Sequence, residues 1–165
     1  MLWWYSASSV LLGPPASSYV GGGSVAAPAL DSMTVFVHPD GRLLDARAAA
    51  SVSRQEAPSR VGELVAACVA AVGPASGASS RALWAIASDS LANRVLWAGG
   101  GEADAVALAA DGRFPRPRFV EVGGQRVVRR SSCCLVFESP GEQKCVSCPR
   151  QRPDDRLRRL RAAFG

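Results

Sequence analysis

Four of the five cysteines lie in a short stretch near the end of the chain. They are Cys133, Cys134, Cys145 and Cys148, in the pattern Cys-Cys-x10-Cys-x2-Cys. Four thiolates complete the ligand shell of a tetrahedral Zn²⁺, or of a [2Fe–2S] cluster in which each iron takes two protein sulfurs. The two-residue gap between Cys145 and Cys148 lets one turn direct both sulfurs at one metal ion.

The adjacent pair is unusual for a metal site. In an extended strand, neighbouring side chains point to opposite faces, so Cys133 and Cys134 serve one site only if the backbone bends there. A zinc site therefore fits this spacing less well than an iron–sulfur cluster, although a structural zinc module with a basic tail that binds nucleic acid or protein remains the alternative. A disulfide framework is the weaker explanation, because the chain shows no secretion signal and cytosolic thiols stay reduced.

The residues around these cysteines resemble the C-terminal segment of the ferric-siderophore reductases of the FhuF type, which carries a [2Fe–2S] cluster. The shared run is Arg129-Arg130-Ser131-Ser132-Cys133-Cys134-Leu135-Val136-Phe137, followed by Pro140-Gly141, Lys144, Cys145, Cys148 and Pro149. Residues 81–84 and 90–92 are similar to a segment upstream of that motif, so the resemblance extends over most of the chain from about residue 33.

The resemblance implies that the four clustered cysteines are the cluster ligands. It also implies one-electron reduction of Fe(III) held in a siderophore, which releases iron to the cytoplasm. Family members usually have more helical sequence before the point where this chain begins, and Trp3-Trp4 is an odd exposed start. We therefore expect a partial N-terminal segment, and a cluster-bearing protein without reductase activity remains a further alternative.

Basic residues flank the cysteines and are the candidate residues for tuning the cluster or docking a partner. They are Arg129, Arg130, Lys144 and Arg150. A four-thiolate cluster is anionic, and nearby cations lower the cost of adding an electron. Solvated surface arginines are the alternative interpretation.

Charge is distributed unevenly along the chain. Residues 1–112 hold six Arg against nine Asp or Glu, a net of −3, whereas residues 113–165 hold twelve Arg and one Lys against five acids, a net of +8. This asymmetry indicates an anionic partner. The expected partners are a ferric siderophore, a separate electron donor (a flavin- or NAD(P)H-linked reductase or a ferredoxin) and, for the basic end helix, the inner membrane leaflet. Nucleic acid is not expected, because few aromatic residues interleave the arginines.

The chain is predicted to form an α+β, mostly helical single domain with a β-hairpin, a Cys-rich loop and a basic terminal helix. Three segments are expected: a helix and loop over 1–32, a helical core over 33–130, and the cluster motif with its helix over 131–165. The predicted elements are a helix ending at Gly13-Pro14-Pro15, a loop over 16–32, a hairpin over 33–47, helices over 58–72, 79–98, 102–110 and 154–164, and strands over 119–122 and 126–128.

Three residues outside the motif have structural interpretations. Cys68 lies on an apolar helix face and is predicted to be a buried thiol. Trp84 and Trp97 are predicted to lie in the core.

No apolar run reaches the roughly 18 residues that a membrane span needs, so a cytoplasmic protein is expected.

Overall fold

The computed structural model describes residues 1–165, in which six helices are joined by short strands. In chain order the elements are α1 (Leu2–Leu11), α2 (Gly13–Val20), β1 (Val25–Ala26), β2 (Met33–Val37), β3 (Leu43–Ala48), β4 (Ser51–Val52), α3 (Ala57–Ser76), α4 (Ser80–Trp97), α5 (Glu102–Leu108), β5 (Phe119–Val122), β6 (Gln125–Val128) and α6 (Pro153–Phe164). One turn of 3₁₀ helix, Val136–Glu138, lies between β6 and α6. The predicted α+β, mostly helical fold is confirmed.

Helix α4 lies at the centre of the fold and contacts α1, α2, α3, α5 and β6. Residues 86–92 are all buried, so neighbours cover this helix on every side. Its small side chains, such as Ala87 and Ser90, let those neighbours approach closely. The Ser90 hydroxyl hydrogen-bonds the Ser8 hydroxyl of α1 at 2.8 Å, which satisfies two buried polar groups.

One hydrophobic core joins the N-terminal helices to the middle of the chain. It contains 23 buried residues, and they run from Trp4 in α1 to Val128 in β6. Trp4 is 1% exposed, and its indole Nε1 donates a hydrogen bond to the Leu83 carbonyl at 2.9 Å. The helices of residues 1–32 are therefore part of the same packed unit as residues 33–128.

The segment that follows α1 differs from the prediction. The loop expected over 16–32 is wrong in part, because Gly13–Val20 form α2 and Val25–Ala26 form β1. Pro14 and Pro15 lie in the first turn of α2, where a missing N–H removes no helical hydrogen bond. The same proline pair that ends one helix thus begins the next.

The predicted end of the third helix is also wrong. Helix α3 passes through Gly73 and Pro74 and ends at Gly77, whose φ of +65° closes the helix in the left-handed conformation. Pro74 falls in the last turn, so the carbonyl that its missing N–H leaves free belongs to Ala70, which is exposed and reaches water.

The strands form three separate antiparallel pairs, β1–β4, β2–β3 and β5–β6. The predicted hairpin is confirmed, with Met33 opposite Ala48 at the far end of the ladder. The strands around Gly123-Gly124 are confirmed as well, and both glycines have positive φ, as a tight two-residue hairpin turn requires.

The large apolar side chains that the helices leave exposed are Leu2, Trp3, Trp97 and Phe164. Helix α6 buries only Leu160 fully and packs on β5, so the predicted basic end helix is docked by its apolar stripe. Trp97 is 69% exposed at the end of α4, so its predicted place in the core is wrong. None of the six helices has both the length and the apolar character required to cross a bilayer.

Candidate metal centre

A buried carboxylate in α4 anchors the start of the cysteine segment. Asp89 is 2% exposed and accepts hydrogen bonds from the backbone N–H of Ser131 at 3.0 Å and of Ser132 at 3.0 Å. It also accepts from the Ser132 hydroxyl at 2.7 Å. The two residues immediately before the first cysteine are therefore fixed to the central helix of the core.

The sequence analysis missed Asp89. Its signal is present in the chain, because it is an acidic residue in the middle of an Ala-, Ser- and Leu-rich helix. A carboxylate in such a place needs partners when it is buried. Its partners lie more than 40 residues away, however, and helical periodicity does not reveal them. Burial raises the pKa of Asp89, while the hydrogen bonds from Ser131 and Ser132 and the charge of Arg130 act against that shift.

A buried guanidinium lies beside the cysteines. Arg130 is 4% exposed, and its Nη1 donates to the Sγ atom of Cys145 at 3.5 Å. Its guanidinium carbon lies 4.3 Å from the centre of the Tyr5 ring, and its Nε lies 3.8 Å from an Asp89 carboxylate oxygen. A cation is thus held at the cysteine segment by an aromatic face and a carboxylate.

Two N–H groups of the Arg130 guanidinium have no hydrogen-bond partner in the protein. Both Nε and Nη2 of Arg130 are buried and make no hydrogen bond. Burial acts to lower the pKa of Arg130, but the nearby Tyr5, Cys145, Cys134 and Asp89 outweigh it and raise that pKa. Unsatisfied buried donors are rare in proteins. Spare cationic donors beside thiols fit an anionic, thiolate-bound group, which would accept hydrogen bonds from them.

The structure brings one cysteine of each pair into contact. The Sγ atoms of Cys133 and Cys148 lie 3.6 Å apart. Two thiolates that bind one tetrahedral metal ion at about 2.3 Å lie about 3.7 Å apart, so this separation fits shared ligation. Cys134 and Cys148 are buried, Cys133 and Cys145 are half-buried, and all five cysteines of the chain are free thiols.

A backbone bend after the adjacent pair makes this approach possible. Leu135 is the one non-glycine residue with a positive φ, at 63°, and the 3₁₀ turn begins directly after it. The backbone N–H of Leu135 acts to lower the pKa of Cys133, against the effect of burial. Left-handed backbone is costly for a branched residue such as leucine, and it is found where surrounding structure enforces it. The fold therefore bends directly after the adjacent cysteines.

The second pair lies in a tight turn that a glutamine holds in place. The Cys148 N–H donates to the Cys145 carbonyl at 3.0 Å. The Gln151 side-chain amide donates to the carbonyls of Cys145 at 2.8 Å and of Val146 at 3.0 Å. Gln151 accepts in turn from Arg159 of α6 at 3.1 Å, so the terminal helix is connected to the cysteine turn.

Burial favours the neutral thiol at two of these positions. It raises the pKa of Cys133 and also that of Cys145, although the charge of Arg130 partly opposes the shift at Cys145. Metal ligation requires the thiolate, so loading this site releases protons.

The convergence of all four sulfurs remains a prediction. No set of three or more His, Cys, Asp or Glu side chains is close enough to satisfy the geometry of a complete metal site. Of the four predicted tuning residues, only Arg130 touches a cysteine sulfur. Lys144 and Arg150 lie over the Phe137 ring, and Arg129 is exposed. Their roles at a cluster are also still predictions.

Comparison with known families supports the interpretation of this segment. Residues 130–150 match the sequence model of the family described as FhuF 2Fe-2S C-terminal domain. This match confirms the resemblance at the cysteine motif, and the matched domain is one that carries a [2Fe–2S] cluster. The wider resemblance from about residue 33 lies outside the matched residues and stays a prediction. No curated protein and no solved structure matches the chain.

Proposed function

We propose that the protein is a cytoplasmic ferric-siderophore reductase that uses a [2Fe–2S] cluster bound by Cys133, Cys134, Cys145 and Cys148. One observation carries the proposal. The segment that matches the [2Fe–2S] domain is also the segment where two sulfurs lie as far apart as two ligands of one metal ion do, beside a buried cation with free donors.

The sulfur positions favour a crossed arrangement of ligands. Cys133 and Cys148 are in contact, so these two, one from each sequence pair, are assigned to one iron. Cys134 and Cys145 are left for the second iron.

The chemistry requires a single electron. Siderophores bind Fe(III) far more tightly than Fe(II), so adding one electron to the chelated iron releases it. A [2Fe–2S] cluster takes up and gives away one electron at a time. The chain contains no Gly-x-Gly-x-x-Gly dinucleotide fingerprint, so the electron is assigned to a separate flavin- or NAD(P)H-linked reductase or ferredoxin.

Residues of this chain would stabilise the negative charge of the reduced cluster and would give the chelate access to a cluster ligand. Arg130 places a positive charge where negative charge increases on reduction, and Asp89 and Tyr5 hold it there. Cys133 lines an open surface cavity of about 410 Å³ together with Arg81 and Arg150. A chelate in this cavity is close to a predicted ligand, as electron transfer requires.

The first test is whether the chain binds the cluster. The full chain is loaded anaerobically with iron and sulfide, and its iron, sulfide and electron paramagnetic resonance signal after reduction are measured. Cys148→Ser is expected to abolish the signal, while the matched control Cys68→Ser retains it. A colourless protein that binds zinc in place of iron and sulfide would overturn the proposal.

The second test is turnover of the substrate. The pre-reduced, loaded protein is mixed anaerobically with a ferric hydroxamate or a ferric catecholate chelate and a colour-forming Fe(II) trap. We expect one Fe(II) for each reduced cluster. If the cluster is present and reducible but neither chelate is reduced, the protein is an electron carrier with another acceptor, and the reductase proposal fails.

A further inference from the structure

A small groove lies between α6 and the β5–β6 hairpin. Phe119, Val120 and Leu157 give it an apolar wall, and Arg129 and Arg156 give it positive charge. We refer to it as the basic groove. Its volume is about 210 Å³, which is below the range of about 300–1,000 Å³ that is usual for small-molecule sites. A groove of this size fits one side chain of a partner protein better than a free ligand.

The basic groove reaches the candidate metal centre. Ser147 lines it, and this residue lies between Cys145 and Cys148 in the chain. Arg130 lines it as well and donates to the Cys145 sulfur at 3.5 Å. The groove shares no residue with the cavity that Cys133 lines. The cysteine segment is therefore approached from two separate surfaces.

Three arginines at the basic groove lie near one another in spite of their repulsion. The Arg129 N–H donates to the Arg118 carbonyl at 2.8 Å, which continues the ladder that pairs Phe119 with Val128. Arg118 and Arg129 are thus directly opposite each other, and like charges in that position are destabilising. Burial lowers the pKa of Arg156, and the positive charges of Arg129 and Arg118 lower it further.

The acidic side chains of β5 and α6 do not neutralise these three arginines. Glu121 pairs with Arg126, and Asp155 pairs with Arg158. Asp154, in the first turn of α6, forms no ion pair with any of the three. Unpaired charges of one sign around a concave surface attract a partner of the opposite sign. The basic groove therefore fits an acidic partner, which would offset the repulsion.

The packing of α6 favours a protein partner over a lipid surface. A helix that lies on a membrane inserts its apolar face between the lipids. The apolar stripe of α6 faces β5 instead, where Leu160 is buried and Leu157 is half-buried, and only Phe164 in the last turn is exposed. The surface that remains has a small apolar centre and a charged border, which is the pattern of a protein–protein interface.

We propose that the basic groove is the docking surface for an acidic electron-donor protein. This inference rests on the proposed function, which requires a separate donor. The donor is oxidised by one electron and the cluster is reduced by one, and no bond forms or breaks. A donor docked beside Ser147 lies next to the turn that joins Cys145 to Cys148, and electron transfer is fastest over a short path. The cavity that Cys133 lines stays open while the donor is bound.

Binding is tested apart from electron transfer. The loaded full chain, in its oxidised state, is titrated calorimetrically with two acidic probes, an oxidised [2Fe–2S] ferredoxin and an oxidised flavodoxin. We expect at least one of them to bind, with an affinity that falls as salt is raised. Vesicles of phosphatidylglycerol and phosphatidylcholine are the third probe, and they are expected not to bind.

Paired variants locate the docking surface. Arg129→Gln with Arg156→Gln is expected to weaken binding of the acidic probe about tenfold or more at low salt, since two unpaired charges are lost. The rate constant for oxidation of flavodoxin hydroquinone by the loaded chain, followed by semiquinone absorbance, is expected to fall by a similar factor. The matched control, Arg42→Gln with Arg47→Gln, removes the same charge from the β2–β3 hairpin and is expected to change both quantities less than about twofold.

The melting temperature distinguishes a docking role from a structural one. Because Arg129 and Arg156 repel each other, their replacement is not expected to lower the melting temperature of the loaded chain. A lower melting temperature together with weaker binding would show that the two arginines support the fold and would overturn the assignment of the groove to docking.

Other outcomes would also overturn the inference. They are no binding of either acidic protein, equal losses in the two paired variants, and vesicle binding that the Arg129 and Arg156 pair abolishes. These results are distinct from failure of the proposed function. A chemically pre-reduced chain that reduces a ferric chelate but binds no acidic donor refutes only the docking surface, whereas donor binding by a loaded chain that reduces no chelate refutes only the reductase.

Discussion

Arg130 has its guanidinium between a carboxylate, an aromatic ring and a cysteine sulfur, with two donors unused. A buried cation is costly unless its surroundings compensate it. Asp89 and Tyr5 offset only part of that cost. The remaining donors are satisfied if the neighbouring sulfurs carry negative charge. This makes the residue a positioned source of positive charge for the candidate cluster.

Replacement of this charge is expected to change the reduction potential. In Arg130→Gln, the midpoint potential should fall by about 60 mV or more, which is a tenfold change in the one-electron equilibrium. The reduced, more negative state loses its nearest cation. Potentiometric titration followed by electron paramagnetic resonance measures the shift.

Two further variants distinguish electrostatic tuning from damage to the fold. Arg130→Lys keeps the charge and is expected to recover part of the potential even if it binds the cluster less firmly. Arg129→Gln removes an exposed charge one residue away and is expected to shift the potential much less. Equal shifts in Arg130→Gln and Arg129→Gln would show that Arg130 has no special electrostatic role.

The rate at which Cys68 is alkylated is expected to depend on pH differently from that of a free thiol. Cys68 is half-buried and not fully buried as predicted, but this burial still raises its pKa, so the thiol stays protonated in a pH range where a free cysteine ionises. The thiolate is the reactive form, and alkylation of Cys68 at pH 8 should therefore be slower than that of a free thiol. The rate should rise only as pH passes above the ordinary thiol value. Mass spectrometry of the peptide that contains Cys68 after timed iodoacetamide treatment measures it, and a rate equal to that of glutathione would contradict the prediction.

At the scale of elements, α6 and the cysteine turn are connected through one side chain. Gln151 bridges the carbonyls of Cys145 and Val146 to Arg159. The terminal helix in turn packs on β5 and buries Leu160, which is 3% exposed. The basic helix was expected to contact the inner membrane leaflet. In the structure it also has a structural role at the candidate metal centre.

Removal of this bridge is expected to shorten the lifetime of the cluster. In Gln151→Ala, three hydrogen bonds worth about 1 kcal/mol each are lost, so the cluster should decay several-fold faster under a chelator. The melting temperature of the helices should change little. Visible absorbance against time measures the decay. Gln143→Ala, an exposed glutamine in the same segment, is the matched control, and equal decay of the two variants would refute the bridging role.

Sequence patterns predicted the elements whose signals are local. Helix α4, the 33–47 hairpin and the strands around Gly123-Gly124 follow from hydrophobic period and turn residues within each segment. The two errors in helix boundaries occurred at prolines. Pro14 and Pro74 were interpreted as breaks, but the effect of a proline depends on which turn of a helix it occupies, and that position is set by packing elsewhere.

The site residues likewise fall into two groups, those that local spacing predicts and those that only tertiary packing brings to the site. Cys133 and Cys148 could be chosen from spacing, because ligand residues lie close in sequence. The residues that position them could not, since Asp89 and Tyr5 reach the motif only through tertiary packing. Arg130 was selected as one of four flanking cations. Its burial, which separates it from Arg129 beside it, depends on the whole fold.

At the scale of the whole molecule, two parts meet at Asp89. Residues up to Val128 share the hydrophobic core, and the irregular cysteine segment follows that core in the chain. The Asp89 carboxylate of α4 accepts hydrogen bonds from Ser131 and Ser132, the two residues that precede Cys133. The apolar contacts of α4 do not depend on these bonds, whereas the position of the cysteines does.

Asp89→Asn is therefore expected to separate the unfolding of the two parts. The amide has one acceptor oxygen in place of two, and it removes the carboxylate that partly neutralises Arg130, at a cost of about 3 kcal/mol. In the loaded wild-type chain, cluster absorbance and helical circular dichroism should be lost in one transition on heating. In Asp89→Asn, the absorbance should disappear at a lower temperature than the helical signal. Asp45→Asn, at an exposed carboxylate of β3, should behave as wild type. Coincident transitions in Asp89→Asn at the wild-type temperature would show that the cysteine segment is held by other contacts, and that the buried carboxylate does not couple the metal centre to the core.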